Sequence, residues 1–348
     1  MVTSYIGADV DCKSTELAVE RGKRIVRRER VATDIVSIGR FLNSLPGRKV
    51  MVIEEGSMAG WLRRNLQSQV DRFVVCDPRR NRLITYDGDK TDAVDAGKLA
   101  SLLRGGYLRE VYHTDDDEHL ALKEAVSLYH DRVDDAVRQI NKLRGRCRSH
   151  GVAIAGGVLS DTSRWQAWLD DLKSAGLARQ LSILWIGFDA VAQQVRLAKR
   201  EMPHRSREYP IIGYWRELPG IGAVRSTTLF AYLDTPWRFA TPKKLWKYCG
   251  VGLQRFASGS DASGRPRPGT LRLFRRVNRR LKDAVLGGAL SAIHQGDNGF
   301  ARSYQRMARD GMTASNARHA VARKMLTVMW GMWKTNSRYE SRLVESVG

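Results

Sequence analysis

Over its first 110 residues the chain alternates short apolar runs with amphipathic stretches, and this alternation restricts the fold more than any other feature. "SYIGADV" and "STELAVE" read as short strands divided by a polar turn, and "KRIVRRERVA" alternates as an edge strand does. A helix over Asp34–Leu45 follows, then the apolar strand "KVMVIEE", a helix over Ala59–Gln67, the strand "RFVVCD" and a helix after Pro78. Three strands followed by an αβαβ series predict an α/β layer with a mixed central sheet. Its closing helix lies within "DKTDAVDAGKLASLLRGG", Asp89 to Gly106, where Gly105-Gly106 supplies the stop.

The period then changes. Leu122, Val126, Tyr129, Val133, Ala136, Ile140 and Leu143 step alternately by four and three, and Leu177, Leu181, Leu184, Phe188, Val191, Val195 and Ala198 do the same. Two heptad helices around "HGVAIAGGVLSDTS" predict an antiparallel coiled-coil hairpin or an intersubunit coil, a scaffold without chemistry of its own. From Pro203 onward the chain is helical and basic. "LPGIGAVRSTTLFAYL" sets Gly220 and Gly222 in a turn between two helical stretches, a helix-hairpin-helix-like element whose N–H groups can hold a phosphate. An ordinary tight turn fits a lone Gly-Ile-Gly equally well. "GVGLQRFASGSDASGRPRPGT" reads as a loop. "LRLFRRVNRRLKDAV" then predicts a helix with Arg272, Arg275, Arg276, Arg279 and Arg280 on one face as a phosphate-contacting stripe. Three domains are expected: an α/β domain over 1–112, coiled-coil or linker helices over 113–202, and a basic, mainly α domain over 203–348.

Lysine and arginine number 59 against 37 aspartates and glutamates, and of the resulting +22 a share of +16 falls in residues 201–348. A folded segment this basic implies a polyanionic partner, nucleic acid before all others. An acidic membrane surface is the competitor, and no basic amphipathic anchor or lipidation motif supports it. No apolar run approaches a membrane span, and no signal-peptide pattern opens the sequence. Cys12, Cys76, Cys147 and Cys249 lie far apart, so a cytoplasmic protein with reduced, buried thiols and no zinc site is expected.

Asp92 and Asp95 share one face of the short helix and repel each other when both are ionised. Lys90 and Lys98 can balance them on a solvated surface; a divalent cation held between them is the alternative. The pair alone does not choose. In an α/β layer, however, side chains at the carboxyl ends of neighbouring strands look into a common crevice. Asp9 ends the first strand, Glu54 ends "KVMVI", and Asp92 and Asp95 arrive on the helix after the last strand. Four carboxylates from three elements form a donor set for two Mg²⁺ ions about 4 Å apart, the arrangement used in phosphoryl transfer. Glu55, past its strand end, and Asp11, in a turn, fall outside the set.

Taken together, "IGADV", "VIEEGSMAGWL", "VVCDPRRNRL" and "DKTDAVDAGKLASLL" resemble the blocks of the DEDD transposases of the insertion-sequence "one-ten" family. "LPGIGAVRSTTLFAYL…WRFATPKKLWKYCGVGL…SG…N…LK" resembles that family's second conserved domain. The resemblance implies an RNase H-like, RuvC-like first domain whose metal-binding acids map onto Asp9, Glu54, Asp92 and Asp95. It also implies a serine that becomes joined to DNA, and the Ser-Gly pair after "YCGVGL" points to Ser258. Mg²⁺-dependent strand exchange is implied, guided by a structured bridge RNA that pairs with donor and target DNA. No histidine near Ser258 in sequence can activate it. Activation by the first domain's metal cluster, of the same or another subunit, fits a homo-oligomer, a dimer or tetramer. The chain departs from the family pattern in three places. Glu54-Glu55-Gly56-Ser57 leaves Glu55 as an alternative one residue on. Val277 stands where glycine precedes Asn278, and the proline of the "GLxP" block is missing, which keeps Ser260 and Ser263 in view. Two rival functions stay open: a metal-dependent junction-resolving nuclease using water, and a non-catalytic nucleic-acid-binding protein.

Overall fold

The computed structural model describes residues 2–78, 92–256, 270–274 and 277–346, without the side chains at 92, 93, 256, 270 and 346. The chain forms two compact units, Met1–Asp115 and Asp116–Gly348.

In the first unit the strands are β1 (Thr3–Val10), β2 (Ser14–Arg21), β3 (Arg24–Ala32), β4 (Arg48–Glu54) and β5 (Arg72–Cys76). They form one sheet in the order β3-β2-β1-β4-β5. Tight turns join β1 to β2 and β2 to β3, so these pairs are antiparallel. The helices α1 (Ile35–Asn43) and α2 (Ala59–Leu66) lie within the longer connections, so β1, β4 and β5 run parallel. Asp34 starts α1 by accepting from the Ser37 N–H at 2.7 Å and the Ser37 hydroxyl at 2.8 Å. Ile6, Ala8, Leu17, Val19, Met51, Ile53, Phe73 and Val75 form one face of the sheet and pack with Ile38, Phe41, Leu42, Leu62 and Leu66 of the two helices. The helix α3 (Asp92–Gly105) covers the other face, where Leu99 meets Val52, Val74 and Cys76. Its approach is close because position 7 is glycine: a Cβ there would stand 2.1 Å from the Ala96 carbonyl oxygen and 2.6 Å from the Ala100 nitrogen.

The second unit opens on a helical hairpin of α4 (Asp117–Arg148) and α6 (Ala175–Ser206), with α5 (Thr162–Asp170) between them in the chain. Leu143 and Cys147 cluster with Leu177 and Leu181, while Leu122 and Val126 share a core with Met202, so the long helices are antiparallel. Helix α5 was not expected. It closes the tip by stacking Trp165 on Trp185, with ring centres 4.5 Å apart and planes at 8°. The remainder comprises α7 (Pro210–Trp215), α8 (Ala223–Leu233), α9 (Pro242–Tyr248), α10 (Arg279–His294), α11 (Gly299–Arg309), α12 (Ala314–Thr335) and α13 (Arg342–Ser346). Their core gathers around Trp215, Phe230, Phe300 and Met325, and the Trp215 indole N–H donates to the Met329 carbonyl at 3.1 Å.

Two local expectations are corrected. Leu253–Phe256 and Thr270–Leu273 are strands β6 and β7 of an antiparallel hairpin, where a loop and the start of a helix were expected. "LQRF" and "TLRL" are too short to separate strand from loop by periodicity, and each needs the other to satisfy its backbone. Cys12 is exposed, whereas Cys76, Cys147 and Cys249 are buried. Among the described residues no helix is long and apolar enough to cross a membrane.

Candidate metal centre and nucleic-acid interface

Side chains alternate along a strand, so Gly7 and Asp9 look out on the α3 face of β1, as Val52 and Glu54 do on β4. The parallel register pairs Ala8 with Ile53. The next residues, Asp9 and Glu54, therefore lie side by side near the carboxyl ends of neighbouring strands, with backbones about 5 Å apart. Helix α3 runs antiparallel to β1. Its later turns bond the buried Glu20 carboxylate, through the Ser101 hydroxyl at 2.5 Å and through Arg104, and Glu20 lies opposite Tyr5. Its middle, Ala96 to Ala100, sits on Gly7. Continuing in that direction brings the first turn of α3 level with Asp9. Positions 92 and 95 precede the buried Ala96 and Leu99 by one turn and so share their stripe. Asp95 is half-buried, and the Asp92 side chain lies outside the described residues.

This edge offers hard carboxylate oxygens, the donors Mg²⁺ takes. Among the described residues no three histidine, cysteine, aspartate or glutamate side chains are gathered tightly enough to hold a metal ion. Asp9 and Glu54 both have interaction partners. An acid in the first turn of α3 also suits the helix dipole without any metal.

The register adds an acid that sequence reading missed. Glu16 of β2 lies directly opposite Asp9, on the same face of the sheet, with its carboxylate 3.5 Å from Arg30 Nε. Like charges in directly opposed positions destabilise a sheet. The signal for Glu16 is the hairpin register, which a count of residues across an uncertain turn does not fix. Glu55 points elsewhere: its carboxylate is 2.7 Å from His113 Nε2, and His113 stands beside Gly60 of α2.

In the second unit Gly220 has a packing role. Its φ is +81°, and a Cβ would stand 2.2 Å from the Gly288 carbonyl of α10. Its N–H already donates to Gln295 Oε1 at 2.7 Å, which removes it as a free phosphate donor. Gly222 is exposed and begins α8 without a side-chain cap.

The expected one-faced arginine helix is not present. Arg272 is exposed on β7, Arg275 and Arg276 lie outside the described residues, and the helix begins only at Arg279. Asn278 sets that start by accepting from the N–H groups of Arg280 at 2.9 Å and Leu281 at 3.3 Å. Arg279 is exposed. Arg280 turns inward: it lies 2.5 Å from Asp131, 3.0 Å from the Tyr232 hydroxyl and 3.1 Å from the Ser127 hydroxyl. Its charge holds the half-buried His130 below the ordinary histidine range, second to burial as a cause. Ser258, Ser260 and Ser263 lie outside the described residues. Sequence reading also passed over Trp237, which is 72% exposed and carries the Lys334 ammonium 4.8 Å from its ring centre. An exposed indole among cations suits base stacking.

Residues 7–148 match the family model of the IS110-type DEDD transposases, and residues 214–305 match that of the transposase IS116/IS110/IS902 family. Together the two matches take in well over half of the chain. Among curated proteins, an insertion element IS110 uncharacterized 43.6 kDa protein of Streptomyces coelicolor is 25% identical over 158 residues, 45% of this chain and 37% of that protein. A candidate transposase of Sinorhizobium fredii, y4qE, is 26% identical over 198 residues, 57% of this chain and 48% of its own length. The chain thus spans less than half the length of either relative. Both conserved blocks nevertheless fall in order along it, and the chain belongs to the IS116/IS110/IS902 family of transposases.

Proposed function

We propose that this protein is a DNA recombinase that moves an insertion element by metal-dependent strand cleavage and exchange. The observation that carries the reading is the edge of the first sheet. Asp9 and Glu54 lie near the carboxyl ends of adjacent parallel strands, on the sheet face that α3 covers, and positions 92 and 95 belong to the first turn of that helix. We infer an RNase H-like domain there, in which these four acids hold two Mg²⁺ ions. Bound ions would supply a lowered pKa for an attacking hydroxyl and neutralise charge gathering at phosphorus.

The chain's own residues do the rest. Ser258 attacks a DNA phosphorus, so that a serine oxygen–phosphorus bond forms while a sugar oxygen leaves and takes a proton. Attack by another strand's hydroxyl reverses the step, releases the serine and rejoins DNA without a high-energy cofactor. The basic residues of 201–348 bind nucleic-acid backbones, and a bridge RNA paired with donor and target supplies sequence choice. The active form is a homo-oligomer, a dimer or tetramer, and its place is the cytoplasm beside the genome.

The test uses purified protein, Mg²⁺, co-purified RNA and DNA carrying the element's own ends. Asp92→Asn is expected to abolish recombinant product while leaving nucleic-acid affinity within about twofold. Ser258→Ala is expected to abolish both the product and an SDS-stable protein–DNA adduct. Clean hydrolytic nicks without adduct would replace this reading with a junction-resolving nuclease. Activity indifferent to Mg²⁺ and to Asp92→Asn would leave only nucleic-acid binding.

A further inference from the structure

Where the second unit needs an arginine internally, it surrounds the charge with acids: Arg280 has Asp131 and Asp134. On α12 the opposite holds. His319 is only 9% exposed; its Nδ1 meets the Ser315 carbonyl at 2.8 Å, and its buried Nε2 has no hydrogen-bond partner. The Nε of neighbouring Arg318 is also buried and unpartnered. One turn after His319, half-buried Arg323 donates to the Val251 carbonyl at 3.1 Å. Lys282, in the first turn of α10, has its Cδ 3.2 Å from the Cβ position of Gly250. Lys282 and Arg323 thus converge on the Gly250–Val251 turn. Among the described residues no carboxylate pairs with Lys282, Arg318 or Arg323. Asp283 next door contributes instead to the field at His130. Burial first, and then these three cations, hold His319 below the ordinary histidine range.

Gathering partly buried cations without counter-charge is costly unless an anion completes the cluster. The turn lies at the foot of the β6–β7 hairpin, where the Phe274 N–H donates to the Gly252 carbonyl at 3.3 Å. That hairpin's connecting segment carries Ser258. We propose that Lys282, Arg318, His319 and Arg323 form a pocket for one backbone phosphate of the DNA strand being processed. The guanidinium and ammonium groups would neutralise its oxygens, and the phosphate's negative charge would favour the imidazolium form of His319, whose Nε2–H would then donate to it. The choice of DNA rests on the function proposed above; the phosphate chemistry does not.

The test measures binding and stability on the full chain, without reading recombination. Fluorescence anisotropy with a labelled DNA duplex is followed over a salt series for the Lys282→Gln/Arg318→Gln protein. Affinity is expected to fall roughly tenfold and the salt slope to flatten by about one phosphate contact. The thermal midpoint of the free protein should hold or rise, because repulsion is relieved. Arg196→Gln, an exposed cation on α6, should shift neither by a comparable amount. An unchanged affinity, an equal loss with Arg196→Gln, or a fallen midpoint accompanying the affinity loss would each overturn the pocket. Loss toward a labelled RNA duplex but not toward DNA would overturn its assignment to the processed strand. Failure of the metal-centre reading, seen as an active Asp92→Asn protein, would leave these measurements unchanged.

Discussion

Arg279 and Arg280 are adjacent in the chain and opposite in environment. Arg279 is exposed at the first turn of α10, while Arg280 reaches Asp131, Tyr232 and Ser127. Arg280→Gln should therefore lower stability by about 2–3 kcal/mol, since it leaves Asp131 and the Tyr232 hydroxyl without their partner. The salt slope for DNA should stay as it was. Arg279→Gln should do the reverse, leaving the urea midpoint in place and flattening the salt slope by about one phosphate contact. Urea titration beside anisotropy separates the two, and equal effects on binding would contradict the assignment. The arginine pattern was legible as positive charge but not as geometry. Nothing near Arg280 in sequence announces a partner 149 residues away. Nor does composition reveal that Asn278 holds the helix back to position 279. Asp9 and Glu54 were legible because each ends an apolar run, where alternation fixes the face. Glu16 was not, because its meaning depends on register across a turn.

At the scale of elements, the approach of α3 to the sheet depends on Gly7. Any Cβ at this position meets backbone, the Ala96 carbonyl and the Ala100 nitrogen, and backbone cannot rotate away as a side chain can. Gly7→Ala should lift α3 and cost about 1–3 kcal/mol. Its first turn, with Asp92 and Asp95, would shift relative to Asp9 and Glu54. Metal-dependent strand transfer should then fall at least a hundredfold, since small displacements in such sites are amplified. Thermal unfolding and a strand-transfer assay at a temperature well below the midpoint would check this. A stable, fully active Gly7→Ala protein would show that α3 does not position the acids. The long heptad helices were readable because their pattern repeats. Leu122, Val126, Leu143, Leu177, Leu181, Phe188 and Ala198 are all buried. Helix α5 and the β6–β7 hairpin escaped because each is short and takes its stability from a partner, Trp185 in one case and the facing strand in the other.

At the scale of the molecule, charge and carboxylate chemistry separate along the chain. The candidate acids belong to the unit Met1–Asp115, while +16 of the net +22 lies in residues 201–348, inside the unit Asp116–Gly348. Each unit has an apolar core of its own, one around Ile6, Met51 and Leu62, the other around Trp215, Phe230 and Phe300. Each should therefore fold when produced alone. Long-range attraction to a polyanion follows net charge, whereas metal affinity follows local donors. The fragment 116–348 should bind DNA and RNA with most of the salt dependence of the full chain. The fragment 1–115 should bind nucleic acid at least tenfold more weakly and respond more to Mg²⁺ in its thermal midpoint. Anisotropy over a salt series and melting with and without Mg²⁺ would test both halves. If 1–115 carried most of the salt slope, backbone binding would sit with the acids. The charge excess of residues 201–348 would then need another polyanion to explain it.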